Sequence, residues 1–379
     1  MIPLAEPDLS GNEARYLQEC VTTGFVSSVG PFVGRFEQMV AEAAGARAAF
    51  ATASGTVGLH LALAAVGVKA DDLVIVPSFT FIATANAVAH CGATPWIVDV
   101  SSETWTLDTG LVARTLVAET RRVNRVCIHT ASGRRVAAIL PVHTLGLAAD
   151  MDALGTSARD YELKIVADAA CALGALSKGR PVGAIGADLS VISFNGNKTV
   201  TSGGGGAIVG DDPALIAYAR HLGTTARNGP GYDHDMIGFN YRMTNLQAAV
   251  GCAQMERLSD LVAAKRRIRA TYARAFAKIT GTAPFPGGSG EDNACWLSGV
   301  VTSTPTAAEN LRKCLIAAGI EAKPFWKPIH LQAPYRDAPR TSQPVSEDLW
   351  QRVVTLPSST SLNESALARI VAVVEAARV

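Results

Sequence analysis

The stretch SFNGNKTVTSGGGG, residues 193–206, joins a single lysine to a run of four consecutive glycines. The apolar residues that lead into it, from 189 to 194, predict a strand that opens into a loop. Because glycine has no Cβ atom, a cofactor can approach the backbone of such a loop closely. Lys198 is therefore a candidate for a Schiff base with an aldehyde, if burial or neighbouring cations keep part of it deprotonated. The other interpretation is a flexible surface loop with a solvated lysine.

Continuous apolar runs of the same kind occur along the first two thirds of the chain, with helical patterns between them. Such runs are typical of strands covered on both faces, and their alternation with helices predicts a doubly wound, mostly parallel sheet. The predicted strands are 73–76, 94–98, 137–142, 164–167, 189–194 and 206–209, and the predicted helices are 55–66, 80–91 and one opened by a capping box of Ser10 and Glu13. Residues 121–135 predict a hairpin that turns near Ser132 and Gly133.

The last third of the chain changes in character and predicts a second domain. A chain of 379 residues is too long for one comfortable core and suits two. Residues 244–279 keep a helical pattern over many turns, which predicts a helix that leaves the first domain and enters the second. The segment APFPGGSGED, residues 283–292, follows as a linker rich in Gly and Pro. We therefore expect a large α/β domain over residues 1–250 and a smaller α+β domain over residues 251–379.

Composition and charge argue against several classes of protein. Lysine and arginine number 34 against 33 aspartate and glutamate, which leaves no basic excess for binding nucleic acid. The seven cysteines are odd in number and none are spaced like metal ligands, so we expect no metal site and a reducing, cytoplasmic setting. The amino terminus has no signal-peptide pattern, and no apolar run is long enough to span a membrane.

Three further segments carry candidate site residues, each with an ordinary structural alternative. Residues 54–56 open a predicted helix, where free N–H groups and the helix dipole favour an anion, although a plain N-cap has the same pattern. Asp168 ends a predicted parallel strand, where α/β folds bind ligands, and a strand-end cap is the alternative. The segment GFNYRMTN, residues 238–245, places Asn240 among aromatic residues, and a simple helix entry is the alternative.

Taken together, these segments resemble the sugar aminotransferase family named for DegT, DnrJ, EryC1 and StrS, which has the aspartate-aminotransferase fold, fold type I. The order of an anion cradle, a carboxylate at 168 and a lysine at 198 is similar to the order in that fold. The resemblance covers nearly the whole chain. It rests on IPLAEPDLSGNE, TGFVSSVGPFVGRFE, ASGTVGLHLAL, VPSFTFIATANAV, VADAACALGA, SFNGNKTVTSGGGG, GFNYRMTNLQAA, HLQAPYRD and LPSSTSL in combination.

The resemblance implies a nucleotide-sugar aminotransferase that depends on pyridoxal 5'-phosphate. Lys198 would hold the cofactor through a Schiff base and then move a proton between substrate and cofactor carbons. Asp168 would keep the pyridine nitrogen protonated, which makes the ring an electron sink. The other cofactor contacts that the resemblance implies are Ser54, Gly55, Thr56 and Ser193 at the phosphate, Phe81 stacked on the ring, Cys171 near the ring oxygen, and Asn240 reaching the phosphate from the second subunit of a homodimer with shared sites.

Two positions depart from the common pattern of the family and bear on the substrate. Cys171 stands where the family often has His or Gln, and we expect a weak or water-mediated contact from its thiol. Asn195 replaces the usual His before the lysine. This variant resembles a branch that acts on UDP-linked 2-acetamido-4-keto-6-deoxy sugars, and also the perosamine branch that acts on GDP-linked 4-keto-6-deoxymannose. The stretch HLGTTA, residues 221–226, favours the first, with L-glutamate as amino donor and the 4-keto carbon as acceptor.

The sugar site is expected between two segments that combine flat apolar surfaces with polar groups. GFVSS contributes Phe25 and Ser27, and FWKPIH contributes Trp326, Lys327 and His330. A packing role inside the small domain is the alternative for His330, and a solvated loop position is the alternative for Lys327.

Two other functions deserve comparison with the aminotransferase. A sugar dehydratase on the same fold carries His in place of the lysine, so Lys198 argues against it. A DNA-binding regulator is disfavoured by the near-neutral charge and the intact set of cofactor residues.

Overall fold

The computed structural model describes residues 1–288 and 292–377, except the side chain of Ala184. The helices in chain order are α1 (Glu13–Thr23), α2 (Pro31–Ala44), α3 (Gly55–Ala65), α4 (Ala83–His90), α5 (Thr109–Glu119), α6 (Met151–Tyr161), α7 (Pro213–Gly223), α8 (Asn245–Met255), α9 (Leu258–Phe276), α10 (Pro305–Ala317), α11 (Pro344–Arg352) and α12 (Glu364–Ala376). The strands in chain order are β1 (Ala48–Thr52), β2 (Leu73–Pro77), β3 (Thr94–Val98), β4 (Thr120–Val123), β5 (Val126–His129), β6 (Val136–Ile139), β7 (Lys164–Asp168), β8 (Leu176–Ser177), β9 (Arg180–Pro181), β10 (Leu189–Ser193), β11 (Gly206–Gly210), β12 (Arg227–Asn228), β13 (Asp233–His234), β14 (Thr282–Pro284), β15 (Ser298–Thr302), β16 (Lys323–Pro324) and β17 (Val353–Leu356).

The central sheet carries the site. Within the described residues it has seven strands, in the order β1-β11-β10-β7-β6-β2-β3. The strands from β10 to β3 run parallel, and β11 runs antiparallel between β10 and β1. The expected α/β fold with a mostly parallel sheet is confirmed. Residues such as Val74 and Val166 are fully buried, because helices cover both faces and exclude water from continuous apolar strands.

Two layers of helices enclose this sheet. Helices α3, α4 and α7 pack on one face, around a core that includes Leu61 and Val191. Helices α2 and α8 pack on the other face, around a core that includes Phe36 and Phe194. None of the helices within residues 1–288 and 292–377 is long and apolar enough to cross a lipid bilayer.

A second, smaller unit surrounds the antiparallel sheet β14-β15-β17-β16. Its core takes Ile268 and Phe276 from the second half of α9, together with residues of α10 and α12. Leu261, near the start of α9, belongs instead to the core of the first unit. The division at 250/251 stays a prediction, and the packing moves from one core to the other within α9, between Leu261 and Ile268.

The prediction of one continuous helix over 244–279 is wrong. The chain forms α8 and α9, which meet at Glu256 and Arg257. The carboxylate of Glu256 accepts a hydrogen bond from the Tyr16 hydroxyl at 2.5 Å, and the Arg257 guanidinium pairs with Asp8 at 2.9 Å. These partners near the amino terminus fix the junction, and the local sequence carries no sign of them.

The predicted capping box of Ser10 and Glu13 is also wrong. Helix α1 begins at Glu13 after Asn12, and no side chain caps it. The Ser10 hydroxyl donates instead to Asp8 at 2.7 Å, because a short local turn competes for it.

The region 121–135 forms a hairpin, as predicted, but its turn lies elsewhere. Strands β4 and β5 are joined at Asn124 and Arg125, both with left-handed φ values of 50° and 69°. The turn at Gly133 is a second one, which leads from β5 towards β6. The helix predicted over 80–91 begins only at Ala83, which leaves Thr80 and Phe81 in the preceding loop.

Candidate active site

Parallel strands of the central sheet end along one edge, and a cavity of about 510 Å³ lies there. The strand register sets both Ser193 and Thr52 opposite Gly206, so the ends of β10 and β1 meet the start of β11. Strand β7 ends at the same edge with Asp168. The residues around the cavity are Leu4, Ser54, Gly55, Thr56, Leu59, Thr80, Phe81, Ala83, Val142, Asp168, Ala170, Cys171, Ser193, Asn195, Asn197, Lys198, Gly204, Gly205, Trp296, Leu297, Lys323, Pro324, Phe325, Trp326 and Thr355.

Asp168 lies in the wall of the cavity and is only 6% exposed. Its Oδ2 accepts a hydrogen bond from the Thr84 hydroxyl at 2.8 Å, and its Oδ1 accepts one from the Ala170 N–H at 3.0 Å. Burial raises the pKa of Asp168, while the two donors and the charge of Lys198 oppose that rise. Because the charged form of this buried carboxylate is costly, a cation bound in the cavity beside Asp168 would stabilise it.

Lys198 enters the same cavity from the loop that follows β10. It is half-buried, and its N–H donates to the Asn195 carbonyl at 2.9 Å, which turns the loop. Its Nζ lies 3.3 Å from the Cys171 Sγ and 3.8 Å from the centre of the Trp296 ring. Burial raises the pKa of the Cys171 thiol, and the charge of Lys198 opposes that rise. The ε-amino group therefore faces a thiol and an aromatic ring instead of open solvent.

The start of α3 forms another wall of the cavity. Ser54 caps this helix, since its Oγ accepts from the Val57 N–H at 3.3 Å. First-turn N–H groups have no partner inside a helix, and the dipole is positive at that end, so an anion is favoured there. A Cβ atom added to Gly55 would lie 3.0 Å from the Cβ of Ser193. A side chain at this position would crowd Ser193, and the small size of Gly55 allows the close approach of α3 to β10. Ser54, Thr56 and Ser193 all line this cavity.

The glycine run completes that wall with an unusual backbone. Gly205 has a φ of +129°, which L side chains rarely adopt. A Cβ atom there would also lie 2.5 Å from Met243 and from Ser202. Gly205 therefore packs against the side chains of Met243 and Ser202 as only glycine can, while the approach of a cofactor to this loop stays a prediction.

Aromatic side chains form the remaining surface. Phe81 is 56% exposed, and Trp326 comes from the segment that follows β16. The rings of Phe325 and Trp326 lie 4.1 Å apart, and Trp296 stacks on Trp326 with ring centres 6.3 Å apart. This surface suits a planar ring or the apolar face of a hexose.

Three predicted site residues lie on the outer surface of this single chain. Asn240 is exposed, and its backbone pairs with that of Thr224. Phe25 and Ser27 are exposed as well, and their carbonyls accept hydrogen bonds from Asn245 at 2.8 and 2.6 Å. None of the three is among the described residues that line the cavity.

His330 does not line the cavity, and its place in the sugar site stays a prediction. His330 is buried outside the cavity lining, with Nδ1 2.7 Å from the Ser78 Oγ and Nε2 3.0 Å from the Glu347 carboxylate. Burial lowers the pKa of His330, and Glu347 opposes this. The imidazole joins the end of β2 to the segment that carries Trp326, which is a packing role between the two units. Lys327 is exposed and also lies outside the lining.

Three residues of the site were not singled out by the sequence. Thr84 lies four positions after Thr80, and their hydroxyls are 3.0 Å apart, so helical spacing was an available signal. Lys323 is an exposed cation at the cavity, paired with Glu321 at 2.7 Å. Trp296 had no local signal, because its indole N–H donates to the Asn197 carbonyl, far away in sequence, at 2.7 Å.

Comparison with known proteins gives one consistent result. The model of the DegT/DnrJ/EryC1/StrS aminotransferase family matches residues 7–375. A GDP-perosamine synthase of Caulobacter vibrioides is 36% identical, covering 99% of this chain and 97% of that protein. One of Escherichia coli O157:H7 is 35% identical, covering 96% and 94%. A crystal structure of a DegT DnrJ EryC1 StrS aminotransferase from Brucella abortus matches with a TM-score of 0.88 at 29% identity, covering 96% of this chain and 95% of that one.

Proposed function

Since the chain belongs to the DegT/DnrJ/EryC1/StrS aminotransferase family, we propose that it transfers an amino group from L-glutamate to the 4-keto carbon of a GDP-linked 4-keto-6-deoxy sugar. It is a nucleotide-sugar aminotransferase dependent on pyridoxal phosphate. The choice of sugar rests on one observation, the similarity over nearly the full length to proteins named GDP-perosamine synthase. The stretch at 221–226 favoured a UDP-linked 2-acetamido sugar, whereas these relatives support the GDP-linked alternative.

The residues that line the cavity support pyridoxal phosphate as cofactor, independently of the similarity to known proteins. The phosphate needs donors and positive potential, which the start of α3 offers beside the close contact of Gly55 and Ser193. The ring nitrogen needs an acid partner, and Asp168 is a buried carboxylate without a formal cation bonded to it among the described residues. The aldehyde needs an amine, and Lys198 has its Nζ in the same cavity. These three groups fit the three reactive parts of the cofactor.

When bound, the cofactor supplies a cationic ring that withdraws electrons from the carbon that loses or gains a proton. Asp168 would hold the proton at the ring nitrogen. Because burial raises its pKa, the charged carboxylate is costly alone and is stabilised by a cation opposite it. Thr84 and the Ala170 N–H occupy one oxygen each and so orient the carboxylate.

Lys198 would carry the proton in both half-reactions. A general acid or base must lie within hydrogen-bond reach of the carbon's proton, directly or through one water. The loop after β10 keeps the ε-amino group inside the cavity, between Cys171 and Trp296. The aromatic surface beside it would exclude water from the reacting carbon, with Trp326 on one side.

The acceptor side requires groups that recognise anions, because both L-glutamate and a nucleotide diphosphate sugar are negatively charged. Within the described part of the chain, the cavity lining contains two cations, Lys198 and Lys323. We assign Lys323 to a substrate carboxylate or phosphate, with Trp326 against the hexose. Phe25 and Ser27 would complete the acceptor side from a second copy, and Asn240 of that copy would reach the cofactor phosphate, in a homodimer with shared sites.

Product analysis tests the choice of sugar. Purified enzyme loaded with pyridoxal phosphate receives L-glutamate and either GDP-4-keto-6-deoxymannose or a UDP-linked 2-acetamido-4-keto-6-deoxyhexose. Mass spectrometry should detect an amino-sugar product with the GDP substrate. With the UDP substrate the product should be absent or should form far more slowly. Preferential amination of the UDP substrate would overturn the GDP proposal but leave the aminotransferase reaction standing. A Lys198→Ala variant, which should give neither product, controls for chemical amination.

A further inference from the structure

The indole of Trp296 contacts the loop of Lys198 in two independent ways. Its N–H donates a hydrogen bond to the carbonyl of Asn197, the residue before the lysine, at 2.7 Å. The face of its ring lies 3.8 Å from the Lys198 Nζ, within the distance at which an ammonium is attracted to an aromatic face. The Cys171 Sγ approaches the same nitrogen at 3.3 Å. The ε-amino group is thereby enclosed by a ring and a thiol.

Trp296 is itself held against the large unit, although it precedes a strand of the small one. The backbone N–H of Trp296 donates to the Leu145 carbonyl at 3.0 Å, and the backbone N–H of Ala294 donates to the Gly146 carbonyl at 3.1 Å. Leu145 and Cys295 have left-handed φ values of 59° and 53°. Such conformations are rare for residues with side chains and persist only where the surroundings fix them. The position of the indole is therefore determined by the backbone on both sides of it.

We propose that Trp296 is a positioning residue for Lys198. Its ring face restrains the ε-amino group within the cavity whenever that group is not bonded to the cofactor, and its indole N–H fixes the loop that carries it. A lysine side chain has four flexible carbons and loses proton-transfer geometry easily unless a partner restrains it. The role in turnover rests on the proposed proton transfer by Lys198, whereas the restraint on the amine is independent of the substrate.

The restraint can be tested without cofactor or substrate. Cofactor-free protein is treated with limiting acetic anhydride at fixed pH, and peptide mass spectrometry measures the acetylation rate of Lys198 relative to the exposed Lys327. Trp296→Leu should raise the Lys198 rate about two- to tenfold, because the ring no longer encloses the amine and the reagent reaches it more easily. Trp296→Phe keeps a ring face, so its Lys198 acetylation rate should lie between those of the wild type and Trp296→Leu. Tyr232→Leu, which removes an exposed ring outside the cavity lining, should leave the Lys198 rate unchanged.

The loaded enzyme supplies a second readout that a merely structural contact would not move. The half-reaction with L-glutamate is followed with protium and with deuterium at the substrate α-carbon. If Trp296 positions Lys198, the Trp296→Phe and Trp296→Leu variants should react more slowly and show a larger deuterium isotope effect. Wild-type acetylation of Lys198 in both variants, or slower turnover with an unchanged isotope effect, would overturn the proposal. Neither measurement involves the sugar, so an error in the GDP assignment leaves the result interpretable.

Discussion

The two sides of the cavity differ in how completely one chain builds them. On the cofactor side, Asp168, Gly55 and Ser193 are brought together by strand ends of one sheet, and their contacts lie within the large unit. On the acceptor side, Lys323 is exposed and Phe25 and Ser27 lie on the outer surface. Most of the cofactor side is therefore preorganised in the single subunit, with Asn240 of a second copy expected at the phosphate. The acceptor side depends on the small unit and, by our proposal, on a second copy.

This difference sets the expected size of mutational effects. A buried charge interacts strongly with its partners because little water screens it. Exposed charges and partly open aromatic surfaces contribute less, since solvent competes for them. Changes at Lys198 and Asp168 should accordingly exceed those on the acceptor side.

The largest effect is expected at Lys198. Lys198→Ala and Lys198→Arg should each lower both half-reactions by at least about 10³-fold, since neither side chain can form the Schiff base or carry the proton. Borohydride treatment of the loaded wild-type enzyme, followed by peptide mass spectrometry, should find the reduced cofactor on Lys198. Recovery of the label on another lysine would contradict the assignment. Lys323→Ala serves as control and should keep the label on Lys198.

Asp168→Asn should have the next largest effect. An amide cannot hold a proton on the ring nitrogen, so turnover should fall about 100-fold while the fold and much of the cofactor binding persist. Stopped-flow absorbance of the glutamate half-reaction and a thermal melt separate the two properties. Asp152→Asn, an exposed carboxylate paired with Lys178, provides the control and should react normally. Near-normal turnover of Asp168→Asn would make the acid structural.

A mixed dimer tests whether Asn240 reaches the cofactor phosphate in the site of a second copy. Asn240→Ala should lower activity about tenfold, through loss of a charge-assisted hydrogen bond to the phosphate. Mixing Lys198→Ala subunits with Asn240→Ala subunits should then restore one intact site in each mixed dimer. Activity is measured after differently tagged subunits have been copurified. Confirmed mixed dimers without recovered activity would argue that Asn240 acts within its own chain.

The smallest effect on activity is expected at Trp326, and a comparison with His330 separates sugar binding from packing. Trp326→Ala should raise the KM for the sugar about three- to tenfold while the glutamate half-reaction stays nearly intact. His330→Ala should instead lower the free energy of unfolding by about 1–3 kcal/mol, because the buried Ser78 hydroxyl loses its partner. Steady-state kinetics and denaturant unfolding measure the two. A selective rise in sugar KM for His330→Ala, without loss of stability, would return that residue to the sugar site.

Sequence reasoning was most accurate where a local pattern carries the information. The strand over 94–98 has the bounds of β3, and the helix opened at residue 55 is α3. Asp168 and Lys198 lie in one cavity, because strand ends of a parallel sheet collect at one edge. The break between α8 and α9 was missed because its cause is an ion pair between Arg257 and Asp8.

The sequence by itself determined the α/β alternation, the family and the residues that can react with a cofactor, because these depend on residue type, local spacing and order along the chain. Only the tertiary structure decided that His330 packs against Ser78, 252 positions away, and that Trp296 faces Lys198. The physical reason is that a side chain's role follows from its partner. When the partner lies in another unit of the fold, the residues next to the side chain in sequence show no pattern that predicts the contact.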